Sequence, residues 1–187
     1  MAKAEKSNVQ PFLSDIKTLR ERARKHIGDG AVTSSYIGDP KQTVEILQSA
    51  LATEIVCILR YTMHAVTATG VASEAVKAEF LDHAREEQAH MMAIAGRITE
   101  LGGLPNFDPT GLALRSASEY STGPTLKDMI RENLIAERIA VDHYRELIRY
   151  FGHDDPTTTR MLQWILSVEE EHANDMSDLL AARGGPD

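Results

Sequence analysis

The sequence has a single cysteine, Cys57, and few aromatic residues, 5% of the chain. One cysteine excludes an internal disulfide and a CxxC site, and a reducing cytoplasm is the expected setting. Scarce aromatics, with glycine and proline gathered in a few places, favour a helical protein over a β-sandwich. No run of about 18 apolar residues is present, so no membrane span is expected. The opening residues, MAKAEKSNVQPFLSD, lack the apolar stretch of a secretory signal.

What is present is charge, unevenly spread. The formal net charge is −8, yet residues 1–28 carry seven basic side chains (Lys3, Lys6, Lys17, Arg20, Arg22, Arg24, Lys25) against Glu5, Asp15 and Glu21. A basic arm on an acidic body can touch nucleic acid. Such arms are more often solvated or form oligomer contacts, so DNA is not the expected partner.

Punctuation divides the remaining chain into four long helices. Asp39 followed by Pro40 is an N-cap with proline at the first helical position, and periodic sequence runs from there to about Thr69. Ser73 opens a second helix that stops at Gly102-Gly103. Thr125 to Asp128 starts a third, reaching Gly152; Asp155-Pro156 starts the fourth, which runs to Gly184. Ser14 to about Ile27 reads as a shorter amphipathic helix. Short turns join the first and second and the third and fourth, implying antiparallel hairpins. Residues 102–124 are too long for an ordinary loop and suit a strap crossing the bundle's length. The expected organisation is a basic arm with a short helix (1–38), a four-helix bundle (39–184) and a tail (185–187).

Each long helix has a 3/4-spaced apolar seam of the kind that faces a core. The seams hold Glu54, Glu87, Glu137 and Glu169, and the second and fourth add His90 and His172 three residues after their glutamates. A single seam glutamate usually sits at the edge and reaches water. Here all four lie near mid-helix: Glu54 and Glu87 are each 14 residues past Pro40 and Ser73, Glu137 is 12 past Thr125 and Glu169 is 13 past Pro156. They therefore meet at one level whichever way each helix runs. Four uncompensated carboxylates there would be very costly. Two divalent cations would neutralise them, with the imidazoles completing the set. Carboxylate with imidazole suits iron or manganese better than zinc. The spacing also repeats: Glu54 precedes Tyr61 by seven residues and Glu137 precedes Tyr144 by seven, as in a duplicated hairpin. One glutamate from each of two helices plus Glu-x-x-His from the other two is the di-iron carboxylate pattern of ferritin-like bundles.

In ATEIVCILRY, REEQAH, ELGGLPN, LIAERIAVDHY and VEEEHA the sequence resembles the bacterioferritin and Dps-like branch of the ferritin-like superfamily, over about residues 40–183. The resemblance implies an all-α ferritin-like bundle that oxidises Fe(II) with peroxide or dioxygen and stores the ferric product in a homo-oligomeric cage. Carried over by motif, two irons per subunit are held by Glu54, Glu87, His90, Glu137, Glu169 and His172, with Tyr61 as a nearby hydrogen-bonding group of the catalytic set. Bacterioferritins hold haem through a methionine just after the second-helix glutamate; here that position is Gln88, so haem is not expected, and Met91 and Met92 read as packing residues. The chain stops 15 residues after His172, without the fifth helix of 24-subunit cages, which favours 12 subunits. Archaeal-type members carry a cysteine pair near the site, which Cys57 alone does not match; it reads as a small buried residue. His83 reads as a hydrogen-bonded core histidine, with a transient iron site as its other role. Glu171, Asp175 and Asp178 read as an outer face, solvated or in a subunit contact, with an iron access path as its other role. The rival functions are a di-metal peroxidase or catalase without storage, and a DNA-protecting protein using the basic arm.

Overall fold

A computed structural model of the chain describes residues 14–70 and 73–185. It divides into two compact units, Met1–Tyr36 and Ile37–Asp187. In the first, α1 (Ile16–Ala23) is capped by Asp15, whose carboxylate accepts from the Thr18 N–H at 3.0 Å, and no α1 residue is buried. The helix is shorter than the residue 14–27 span expected from its pattern. Arg24 closes it, and His26, at φ 51°, turns the chain left-handed before a single 3-10 turn over Ile27–Asp29.

The second unit holds α2 (Pro40–Thr67), α3 (Ser73–Glu100), α4 (Leu112–Arg115), α5 (Leu126–Phe151) and α6 (Pro156–Ala181). Their starts are chemically marked. The Asp39 carboxylate accepts from the Lys41 N–H, Thr125 and Asp128 form a reciprocal capping box, and Asp155 accepts from the Thr158 N–H. Gly102 at φ 80° and Gly152 at φ 48° follow the ends of α3 and α5, where a side chain would be strained. The strap after α3 begins so close to α2 that a Cβ on Gly103 would lie 2.7 Å from Val44 Cγ1. That contact brings the end of α3 to the start of α2, so the two run antiparallel.

α2 packs chiefly on α3 and α5 on α6, while α2–α5 and α3–α6 contacts join the hairpins. The expected four-helix bundle with one long crossover is present. The crossover is not featureless: it contains α4, a single turn that the sequence pattern did not reveal. It also follows α2 in order. Gln48 bonds Leu104 O and the Asn106 N–H, Ser49 bonds Arg115 O, Thr53 accepts from the Ala117 N–H, and Arg60 bonds Glu119 O. Polar side chains on α2 thus satisfy the strap's backbone groups, which would otherwise be stranded against the bundle.

α2 holds a stretch long and apolar enough to cross a membrane by length and composition alone, although charged residues interrupt it. Half of that stretch is buried within the protein, and the charged Glu54 and Arg60 of α2 are buried too, facing the bundle interior and the strap. Below the strap's far end, Tyr61, Ala65, Val76, Phe80, Met129, Ile130, Met176 and Leu180 pack as one apolar cluster.

The opposite end of the bundle is held by a buried clamp. Arg97 on α3 donates from Nη2 to both Asp155 oxygens, at 3.0 and 3.1 Å, and from Nε to Thr158 Oγ1 at 2.8 Å. Asp155 is at once the α6 cap and the guanidinium's partner. Asp155→Ala is therefore expected to cost about 3 kcal/mol, because it removes the α6 cap and the buried carboxylate on Arg97, leaving the guanidinium only Thr158 and exposed Glu100. Urea unfolding measures this; a loss under about 1 kcal/mol would show the clamp to be dispensable.

Candidate metal centre

At mid-bundle the structure brings Glu54, Glu87, His90, Glu137, Glu169 and His172 together, each at most 1% exposed. Their donor atoms form two overlapping groups. In the first are Glu54, Glu87, His90 and Glu169; in the second, Glu87, Glu137, Glu169 and His172, with the atoms of each group all within 4.8 Å of one another. Glu87 and Glu169 belong to both, so they stand between two positions rather than each serving only its own histidine. His90 Nδ1 lies 3.0 Å from Glu169, 3.3 Å from Glu54 and 3.4 Å from Glu87. His172 Nδ1 lies 3.6 Å from Glu87, 3.8 Å from Glu169 and 3.9 Å from Glu137.

These are close charge contacts, not aligned hydrogen bonds. Both oxygens of Glu87 and of Glu169, one each of Glu54 and Glu137, both His90 nitrogens and His172 Nδ1 are buried with no hydrogen-bond partner. A protein seldom leaves so many polar atoms unsatisfied in one place. The converging hard oxygens and imidazoles are able to hold metal, which would satisfy them together.

The electrostatics of the metal-free site agree. Burial, then the charge of Glu87, pushes the Glu54 and Glu169 carboxyls well above their usual range. Burial would push Glu87 up as well, but His172 and His90 beside it hold it well below that range. Burial would also lower both histidines; instead Glu54 and Glu87 push His90 up to about 10, and Glu87 and Glu137 push His172 up to about 9. Protons thus occupy part of the role that cations would fill.

Two tyrosines cross the bundle. Tyr61 on α2 donates to Glu137 Oε1 on α5 at 2.5 Å, and Tyr144 on α5 donates to Glu54 Oε1 on α2. Burial raises both phenols, so both stay protonated donors. The sequence singles out Tyr61 as a hydrogen-bonding group near the site; Tyr144 makes the matching bond in the other half. The seven-residue repeat was its signal.

Around this lies a ring of contacts made between helices. Glu86, one residue before Glu87, bonds His172 Nε2 at 2.6 Å. On α2 and α5, fully buried Arg60 donates to Asn133 Oδ1 at 2.9 Å, and its Nη2 meets Cys57 Sγ at 3.6 Å. Cys57 is buried and its thiol is pushed well up by burial, as a packing residue rather than a reactive one. His83 bonds Tyr61 and stacks on His172, with ring centroids 3.9 Å apart. Asp175, half-exposed and three residues after His172, shares that side of α6 and approaches His83 at 3.5 Å. Glu171 and Asp178 are exposed. Met92, expected to pack, is 59% exposed because it lies on the face of α3 away from Glu87 and His90. Trp164 stands edge-on to His90 at 5.1 Å.

A helical bundle with a buried carboxylate–imidazole cluster able to hold metal defines the class of this protein. The chain belongs to the ferritin-like family, whose Ferritin-like domain matches residues 44–183. It is 34% identical over 149 residues to the DNA protection during starvation protein of Pyrococcus furiosus, covering 78% of this chain and 80% of that one. It is 27% identical over 148 residues to the bacterioferritin of Mycobacterium leprae, covering 79% and 88%. Among solved structures it is similar to a dodecameric thioferritin, the bacterioferritin-related protein from Bacteroides fragilis, with TM-score 0.75 and 31% identity over 78% of this chain and 88% of that chain.

Proposed function

We propose that the protein oxidises Fe(II) at the two overlapping groups and stores the ferric product inside a homo-oligomeric shell. The observation that carries this is the set of buried donor atoms without partners, arranged around two positions that share Glu87 and Glu169. In this reading Glu54, Glu87, His90 and Glu169 hold one iron, and Glu87, Glu137, Glu169 and His172 hold the other. Two ferrous ions lose one electron each, and with two protons those electrons convert one hydrogen peroxide to two waters; dioxygen is the other oxidant. Tyr61 and Tyr144 orient the two unshared glutamates, and Glu86 orients His172. Manganese is the other metal that this ligand set suits. Haem has no part, because exposed Gln88 supplies no thioether where bacterioferritins carry one.

Twelve subunits are the favoured assembly, supported by the dodecameric relative, and exposed apolar side chains such as Leu59, Val66, Met92, Leu104 and Phe107 offer surface for subunit contacts of some kind. A cytoplasmic location, where ferrous iron and peroxide meet, belongs to the same reading. DNA is not assigned as a partner, although one relative is named for DNA protection. Deleting residues 1–28 and following DNA mobility tests that arm.

Trp164, the chain's single tryptophan, reports on the site through His90. Oxygen-free Fe(II) titration is expected to quench its emission, reaching an end point at two ions per chain. Peroxide should then give rapid oxidation and an assembly holding many irons per subunit by sizing and iron assay. A small oligomer that retains only two metals per chain would overturn storage and favour a di-metal peroxidase.

A further inference from the structure

Beside the paired groups lies a third set of donors: Glu79 and His83 on α3 and Asp175 on α6, with ligand atoms all within 4.8 Å of one another. It is graded from outside to inside. The Glu79 and Asp175 side chains are 40% and 42% exposed, whereas that of His83 is 3% exposed behind them. His83 Nδ1 turns inward, 3.1 Å from Tyr61 Oη, and Nε2 turns outward, 3.4 Å from Glu79 Oε1 and 3.5 Å from Asp175 Oδ2. A core histidine needing a hydrogen bond already has one through Nδ1. The outward nitrogen and two carboxylate oxygens instead converge from two helices on one point, a donor set of the kind divalent cations take.

The duplicated hairpin provides an internal comparison. Glu79 and His83 precede Glu87 by eight and four residues; the same offsets before Glu169 give Met161 and Ile165. Asp175 follows His172 by three, and the same offset after His90 gives Ala93. The twin positions are all apolar, so the bundle itself does not call for polar residues here. The polar triad stands on one flank only, beside the histidine that Glu86 also contacts.

We propose that Glu79, His83 and Asp175 bind a third divalent cation, as a waiting position from which Fe(II) passes to the buried groups. The site stands on its own geometry; its role as a waiting position rests on the proposed iron oxidation. With the cation on Nε2, the imidazole proton sits on Nδ1 and is donated to Tyr61 Oη, while the Tyr61 hydroxyl donates to Glu137. The outer position is thereby tied through two hydrogen bonds to a carboxylate of the second buried group.

Oxygen-free Co(II) titration of the full-length protein tests this, with calorimetry counting ions and Trp164 emission following the buried groups. E79Q/D175N is expected to bind one Co(II) fewer per chain than the unaltered protein, with the Trp164 end point unchanged. Equal numbers bound would overturn the third site. Loss of one Co(II) in the variant, with no Trp164 response in either protein, would keep the outer site and overturn the buried-pair reading. Should circular dichroism show the double variant misfolded, the single Asp175→Asn takes its place. It is expected to weaken the outer ion by more than about tenfold, and unchanged affinity would overturn the proposal.

Discussion

Glu87→Ala is expected to abolish rapid Fe(II) oxidation, lowering the initial rate by more than about 100-fold, above the effect of removing a group that only supports a ligand. Glu87 has this weight because it belongs to both donor groups, and both its oxygens are buried without another hydrogen-bond partner. Its loss removes a ligand from both positions at once. Glu86→Gln is the natural contrast. It keeps the shape next door but weakens the bond that orients His172, so a loss of about 10-fold to 100-fold is expected. Stopped-flow oxidation of both variants, each checked for intact helicity and assembly, reads the difference. A Glu87→Ala protein with undiminished rapid oxidation would overturn the site assignment.

The second large effect is on stability and its dependence on pH. His90 and His172, pushed up to about 10 and about 9 from an ordinary 6.5, bind more proton in the folded chain than in the unfolded one. Their protonation therefore stabilises the metal-free fold fully below about pH 6.5, and that contribution fades as pH rises towards 9–10. The raised Glu54 and Glu169 carboxyls act in the same direction. Cations need these groups deprotonated, so metal binding releases protons and strengthens as pH rises. The metal-free protein should thus lose melting temperature between pH 6.5 and 9, while the gap between loaded and metal-free protein widens. At a free Co(II) concentration about 100 times the dissociation constant, the added stability is about 2.7 kcal/mol for each independent site. Calorimetric melts across that pH range decide this, and a gap that narrows with rising pH would contradict it.

The parts of the molecule legible from sequence were those written in local chemistry or in regular spacing. Asp39-Pro40, Asp155-Pro156 and the Thr125/Asp128 pair mark helix starts because their side chains satisfy N–H groups of the same turn. The six candidate ligands stood out because charged residues at seam positions, equally deep in four helices, conflict with burial unless something joins them. The outer ring was hidden because its pairings are between helices. Nothing in the residues near Glu86 says that it meets His172, or in those near Arg60 that Asn133 and the strap meet it. The single turn α4 has too few residues to show a period. Asp175 is half-exposed, as an outer-face residue would be, and its approach to His83 on α3 is a pairing between helices that its own neighbours do not show.

The crossed tyrosines limit where this chain can change length. One extra residue between Glu54 and Tyr61 would rotate everything beyond it by about 100° about the helix axis. Tyr61 would leave Glu137, and either Arg60 would leave the strap or Glu54 would leave Tyr144. An insertion between Glu137 and Tyr144 does equal damage in mirror form. Those two seven-residue intervals are therefore closed to insertion and deletion, each guarded by a residue in the opposite hairpin. Changes of length are expected to be tolerated only in the turns and the strap, where no crossed tyrosine bond depends on helical phase.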